Sequence, residues 1–427
     1  MKKLFAILLS AFMLMNLVSC SKGAPTDTSS APTTSTTGSQ TTEATTTSAG
    51  TSAASTTTSH AKPSTTSGVA TTTTAPQNTY NPKPVTAQSL ANSQYLLTQK
   101  KAYNVAYYGG SITQGTGATD EEKNSWRALT TAWLKSTYPD ANITEIEAAK
   151  GGTGTYFGKM RADFELLNYN PDLVFIEFAV NDYLEKKTYE QSKENLEIII
   201  RKCYQKNPNI DIVLVYTSTV GISTSTIYTR AFDELAKHYG LSVIHVGKAL
   251  TTAGGKLTDY FTPDQVHPNN KGYKAMADEV IAQMTAMLAK AGNPTNLVAH
   301  AIPQPLKENI SIGTKTYNVD DILAQNPSLK RQKPNDYCSV DSALVTKGNT
   351  VTITFKGTSI GVWWRCFDRS AIIHCMVDGQ QVASKTLNNT THYTYELADN
   401  LENTTHTFSF TYNGDTALYL PYVFVTN

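Results

Sequence analysis

From residue 104 to residue 292 two kinds of apolar pattern alternate along the chain. Short unbroken runs occupy 104–110 (NVAYYGG), 143–149 (ITEIEAA), 172–180 (DLVFIEFAV), 210–218 (IDIVLVYTS) and 241–247 (LSVIHVG). Runs of this length predict parallel strands buried on both faces. Between them apolar residues recur at helical spacing. SWRALTTAWLKSTY follows Asn124, FGKMRADFELL follows Tyr156, YEQSKENLEIIIRKCYQK starts at Tyr189, TIYTRAFDELAKHYG starts at Thr226, and NKGYKAMADEVIAQMTAMLAKAG closes the region. This alternation predicts an α/β domain over 86–296, a three-layer α/β/α sandwich around a five-stranded parallel sheet.

Gly292-Asn293-Pro294, Pro303 and Pro305 mark a boundary, and beyond it the helical period is lost. Short stretches rich in β-formers follow, among them NTVTITF, TSIGVWWRC, SAIIHCMVDG, HTFSFTYNG and ALYLPYVFV, with turn signals at Gly357, Gly379 and Asn413-Gly414. They predict a separate all-β sandwich domain over 305–427. CFDRSAIIHC reads as a hairpin flanked by Cys366 and Cys375, while Cys203 and Cys338 stand elsewhere. In an exported chain these four could oxidise or remain buried thiols, and the sequence does not choose a pairing. Trp363 and Trp364, with Tyr393, Tyr395, Tyr419 and Tyr422, fit either a sugar-stacking surface or the sandwich core. Strand alternation puts one tryptophan inside and the other outside.

The front of the chain is of another kind. Residues 1–20 place Lys2 and Lys3 ahead of a short apolar segment, the layout of a secretory signal. The segment ends in Leu17-Val18-Ser19-Cys20, which resembles the lipobox of bacterial lipoproteins. That resemblance implies lipidation of Cys20 and anchoring at the extracellular face of a bacterial membrane. Residues 21–85 are almost all Ser, Thr, Ala, Gly and Pro and predict a flexible tether, with roughly 45 Å of reach as a coil and on the order of 200 Å when stretched. A net charge of +1 offers no footprint for nucleic acid. No H-x-x-x-H or C-x-x-C spacing calls for a metal.

Open parallel sheets carry their sites at the carboxyl ends of strands. There the chain places Gly109-Gly110-Ser111, the segment AAKGGTGTYFG, EFAVND and, further on, DYFTPDQVHPN. In sequence order, GGSIT, KGGTG, AVND and DQVH resemble the four blocks of the SGNH, or GDSL-like, hydrolase family across about residues 100–290. The resemblance implies a flavodoxin-like SGNH fold and an ester hydrolase with no cofactor. Ser111 is then the nucleophile, His267 its base and Asp264 the orienting carboxylate, both held on one short segment. The backbone N–H of Ser111, the backbone N–H of Gly152 and the side-chain amide of Asn181 would form the oxyanion hole, with Gly151 an alternative donor to Gly152. Two departures stand out: Gly110 replaces the usual aspartate before the serine, and Ala179 replaces a glycine in the third block.

Fold and triad do not choose an ester. Export, the long tether and an appended β-sandwich point to removal of O-acetyl groups from an acetylated polysaccharide by a monomeric enzyme. The competing readings are a catalytically impaired surface glycan-binding protein and a lipolytic esterase. Trp126, Tyr156 and Tyr183 are candidates for shaping the substrate pocket. His245 reads as a packed histidine and His238 as a helix-end residue.

Overall fold

The five apolar runs become β1 (Ala102–Gly109), β2 (Asn142–Glu147), β3 (Leu173–Glu177), β4 (Asp211–Val215) and β5 (Ser242–Ile244), all paired in parallel in the order β2-β1-β3-β4-β5. The computed structural model describes residues 89–427 except 224–225, 336–337, 339, 367, 369–370 and 388–389. The signal, the tether and Cys20 lie outside the described residues, as do the side chains of His392 and Tyr393. Alternation along β1 explains the layering. Val105 and Tyr107 enter one core with Phe175 and Val213, while Ala106 and Tyr108 enter the other with Val174 and Leu214.

Helices α1 (Ala91–Thr98), α2 (Ser111–Gln114), α3 (Glu121–Asn124), α4 (Trp126–Thr137), α5 (Thr155–Arg161), α6 (Ala179–Leu184), α7 (Tyr189–Lys206), α8 (Ile227–Tyr239), α9 (Val246–Thr252) and α10 (Asn270–Ala291) complete the α/β domain. Residues of α4 and α10 fill the first core, and those of α7 and α8 the second. Local chemistry sets several boundaries. Thr188 and Gln191 make a reciprocal capping box for α7, Asn269 caps α10, and Gly240 closes α8 in the left-handed region at φ 65°. β3 and β5 are cut short of their apolar runs by helices. β3 stops at Glu177 and β5 at Ile244, because a buried helix begins within each run and apolar character alone does not mark the change.

The C-terminal region is a sandwich of two antiparallel sheets, preceded by β6 (Thr314–Tyr317) and α11 (Val319–Gln325). One sheet runs β13-β10-β15-β8-β7, with β6 also on β15, and the other β12-β11-β14-β9. The strands are β7 (Lys330–Gln332), β8 (Ser342–Val345), β9 (Thr350–Gly357), β10 (Ser359–Cys366), β11 (Ile372–Val377), β12 (Gln380–Thr386), β13 (Thr390–Ala398), β14 (Thr404–Thr411) and β15 (Leu418–Thr426). The hairpin expected around CFDRSAIIHC is absent, since β10 and β11 belong to opposite sheets and the segment crosses between them. Cys203, Cys338, Cys366 and Cys375 are buried free thiols, and burial pushes Cys203 and Cys375 up to about 12.

The paired tryptophans divide as alternation requires, but neither forms a free sugar-stacking platform. Trp364 lies in the sandwich core against Phe410 and Tyr395. Trp363 stacks on Tyr422 at 5.4 Å and meets Phe157 of α5, in a cluster with Tyr156, Met160 and Phe424. The sandwich is therefore docked on α5 through an aromatic seam. Gly361 permits the approach, because a Cβ there would lie 2.0 Å from the Tyr156 hydroxyl. We expect Phe424→Ala to cost about 3–5 kcal/mol. Urea unfolding should show a lower midpoint, with the sandwich and the α/β domain no longer melting together.

Candidate active site

The order of the sheet reverses between β1 and β3, and this is where the chemistry-bearing residues gather. β1 ends at Gly109, Gly110 is extended, and Ser111 opens α2. A Cβ on Gly109 would lie 2.5 Å from the Glu177 carbonyl, so glycine lets the elbow turn tightly against β3. Beneath it lies the buried carboxylate of Glu177. It accepts the Gly110 N–H and the hydroxyls of Thr113 and Thr217, both at 2.9 Å. Burial raises its pKa, and these three donors oppose the rise.

His267 and Asp264 come from a tight turn ahead of α10. Asp264 Oδ1 accepts the Thr262 hydroxyl at 2.6 Å and the backbone N–H groups of Val266 and His267 at 2.9 Å each. Its Oδ2 lies 2.6 Å from His267 Nδ1, and His267 Nε2 lies 2.8 Å from Ser111 Oγ. Burial works against the Asp264 charge, but the His267 side chain, its backbone N–H and Thr262 together hold the carboxyl well below the usual range. Gln265 takes φ 59° to close the turn, a left-handed conformation unusual for glutamine. The loop after α2 leans on this turn at Gly117 (φ 99°), where a Cβ would meet the Pro268 carbonyl at 2.5 Å.

Hydrogen-bond accounting separates the candidate oxyanion donors. The Gly110 N–H is taken by Glu177 and the Gly151 N–H by Gln114 Oε1 at 3.0 Å. Ser111 stands at the first position of its helix, where backbone N–H groups lack intrahelical partners. Gly152 has φ 73° and a Cβ there would meet nothing within 4 Å, so with the Gly151 N–H taken it is the candidate donor of the glycine block. One N–H of the Asn181 amide is held by the Thr153 carbonyl at 2.8 Å, leaving its second N–H for a ligand. Asn181 also explains Gly110. A Cβ at 110 would lie 2.6 Å from Asn181 Nδ2, so the residue usual in the family would collide with the amide in this position.

Several supports were not legible as site residues. Arg161, fully buried on α5, donates to the Ala148 carbonyl at 2.5 Å and the Gly109 carbonyl at 3.0 Å, tying β1 to the segment after β2. Asp182 accepts the N–H and hydroxyl of Thr155 and bonds the Ser192 hydroxyl, while Glu185 Oε1 accepts the Gly154 N–H at 2.7 Å. The glycine block is thus clamped by the segment that carries Asn181. A charged residue on the apolar side of a predicted helix was the available signal for Arg161; Gln114 and Glu185 carried none.

The three pocket candidates fare differently. Trp126 is fully buried against Tyr107 and Phe175 in the domain core, and Tyr156 is fully buried in the seam with the sandwich, so neither lines a pocket. Tyr183 is 44 % exposed and packs edge-on against Tyr228 two residues beyond Asn181, at the rim. A second Ser/His/Asp group, Ser93, His300 and Asp211, lies at the amino end of β4. There the serine bonds the carboxylate at 2.7 Å rather than the histidine, the wiring of a structural clasp.

Glu185 makes the clamp sensitive to pH. Burial is the main cause that pushes its carboxyl up to about 7 from 4.5, with Lys187 and the Gly154 N–H opposing and Asp182 adding to it. The folded state therefore holds this proton more tightly than the unfolded chain. The stabilising contribution is full below pH 4.5 and is lost as pH rises through about 7. We expect the melting temperature of the native protein, relative to Glu185→Gln, to fall steadily between pH 5 and pH 8, as measured by calorimetry.

The chain is similar to known proteins. Residues 107–275 match the GDSL-like Lipase/Acylhydrolase family. No curated protein matches the chain. Among solved structures, a two-domain esterase (CEX) active on acetylated mannans, co-crystallised with mannopentaose, superposes with a TM-score of 0.68 at 23 % identity, over 80 % of this chain and 96 % of that one. A putative GDSL-like lipase from Parabacteroides merdae (TM-score 0.39, 20 % identity) and the acetylxylan esterase Axe2 from Geobacillus stearothermophilus (0.36, 17 %) cover 44 % and 43 % of this chain, and 97 % and 94 % of their own lengths. With its four blocks converging at the β1/β3 switch point, the α/β domain of this chain is similar to the GDSL-like lipase/acylhydrolase family over residues 107–275.

Proposed function

We propose that the protein is a lipid-anchored extracellular serine esterase that removes O-acetyl groups from a polysaccharide through an acyl-enzyme on Ser111. The observation that carries the chemistry is the unbroken relay from Asp264 Oδ2 to His267 Nδ1 at 2.6 Å and from His267 Nε2 to Ser111 Oγ at 2.8 Å. Ser111 Oγ attacks the ester carbonyl as its proton passes to His267 Nε2. Asp264 holds the imidazole in the tautomer that can take this proton, and stabilises it once charged. The oxyanion is received by the N–H groups of Ser111 and Gly152 and by the free N–H of Asn181. Collapse returns the proton to the departing sugar hydroxyl, and water then releases acetate from Ser111 by the same relay in reverse.

The polysaccharide reading is supported by the two-domain likeness to an esterase active on acetylated mannans, and by the anchor and tether expected of the first 85 residues. Acetate release from acetylated mannan, xylan, pectin and peptidoglycan by a soluble chain starting after Cys20 tests it, with Ser111→Ala as control. Equal rates for the two proteins would return the inactive glycan-binding reading, and rates that climb with acyl length the lipolytic one.

Since triad members act as a unit, His267→Ala should lower kcat as severely as Ser111→Ala on 4-nitrophenyl acetate. Asn181→Ala should cost about a hundredfold or somewhat more. Gly110→Asp, which restores the family's usual residue, should cost up to about the same factor by displacing the Asn181 amide. Unchanged turnover of Gly110→Asp would show that Asn181 is not a donor in this position.

A further inference from the structure

A polar cleft of about 300 Å³ opens between α7, the segment joining the two domains, and the sandwich, where it meets β13 and the turn after it. Its volume is at the lower end for small-molecule sites. Among its lining residues, Glu396 and Lys159 have side chains only 10 % and 4 % exposed, with Lys159 Nζ 3.5 Å from Glu396 Oε1. Glu396 Oε2 has no partner among the described residues. Buried polar atoms left unpaired beside a cavity are satisfied by whatever occupies it.

We propose that this cleft binds a short neutral saccharide, at a site separate from Ser111. Both lysines of the lining are matched by carboxylates, Lys159 by Glu396 and Lys307 by Glu194 at 2.6 Å, and Asp399 adds a further negative charge. An anionic ligand would therefore meet net repulsion. Ile310 and Leu401 supply too little apolar surface for an acyl chain. What remains is an array of amides and carboxylates, with Asn195, Asn309 and Asn400 around Glu396 and Asp399, suited to vicinal hydroxyls that both donate and accept. The cleft exists only because the sandwich is docked on α5, so the site would belong to the two domains jointly.

The assignment stands apart from the esterase reading, and titration calorimetry of the full mature chain with mannotetraose and xylotetraose tests it. We expect Glu396→Gln and Asn400→Ala each to weaken binding of one of these sugars at least tenfold while leaving kcat on 4-nitrophenyl acetate unchanged. Wild-type affinity in both variants, or no binding of either sugar to the native chain at millimolar concentration, would overturn the proposal. A native chain inert toward 4-nitrophenyl acetate would instead count against the esterase reading alone.

Discussion

Arg161 is the residue on which the two halves of the molecule converge. Its guanidinium, fully buried, holds the Gly109 and Ala148 carbonyls and lies 4.3 Å from the Tyr108 ring, with Glu165 as its ionic partner at 3.0 Å. A buried charge is tolerated only when paired and hydrogen-bonded, so the ends of β1 and β2 must stay where these bonds can form. The same short helix presents Phe157 and Met160 to Phe424, Trp363 and Tyr422 of the sandwich. One element thus fixes the strand end that delivers Ser111 and also carries the contact between domains.

Around that strut the site is built from buried and half-buried carboxylates that serve as acceptors. Glu177 gathers the elbow before Ser111, Asp182 and Glu185 gather the glycine block, and Asp264 gathers its own turn together with His267. In each case backbone N–H groups are consumed by carboxylates in a sheltered place, where such bonds are strong and rigid. With the neighbouring donors satisfied, the proposed oxyanion donors are the N–H groups of Ser111 and Gly152 and the second N–H of the Asn181 amide. Preorganisation here means that competing partners have already been assigned.

Gly110 shows how one position records a local accommodation. The residue departs from the aspartate of the family that the motif resembles, and taken alone this weakens the resemblance. In three dimensions it is the absence of a side chain that lets the Asn181 amide approach the backbone at Gly110, next to Ser111. The departure and the amide geometry are one feature seen from two places. The docked sandwich reassigns residues in a similar way. Trp363 and Tyr422, plausible as sugar platforms in an isolated β-domain, are part of a seam once α5 is present.

What the chain determines locally is legible without a structure. Unbroken apolar runs and 3.6-residue periods lead to the α/β sandwich, and the order of four short blocks that resemble a known family leads to Ser111, Asn181, Asp264 and His267 as candidates. These features depend on neighbours in sequence, or on the general rule that parallel sheets carry sites at strand ends. Tertiary packing decided the rest. It ended β3 at Glu177 rather than at 180, sent β10 and β11 to opposite sheets, buried Trp126 and Tyr156, and gave the Gly151 N–H to Gln114, which leaves Gly152 as the candidate donor. Each of these outcomes turns on which groups meet across long separations in the chain, and a residue's type and immediate neighbours carry no record of that partner.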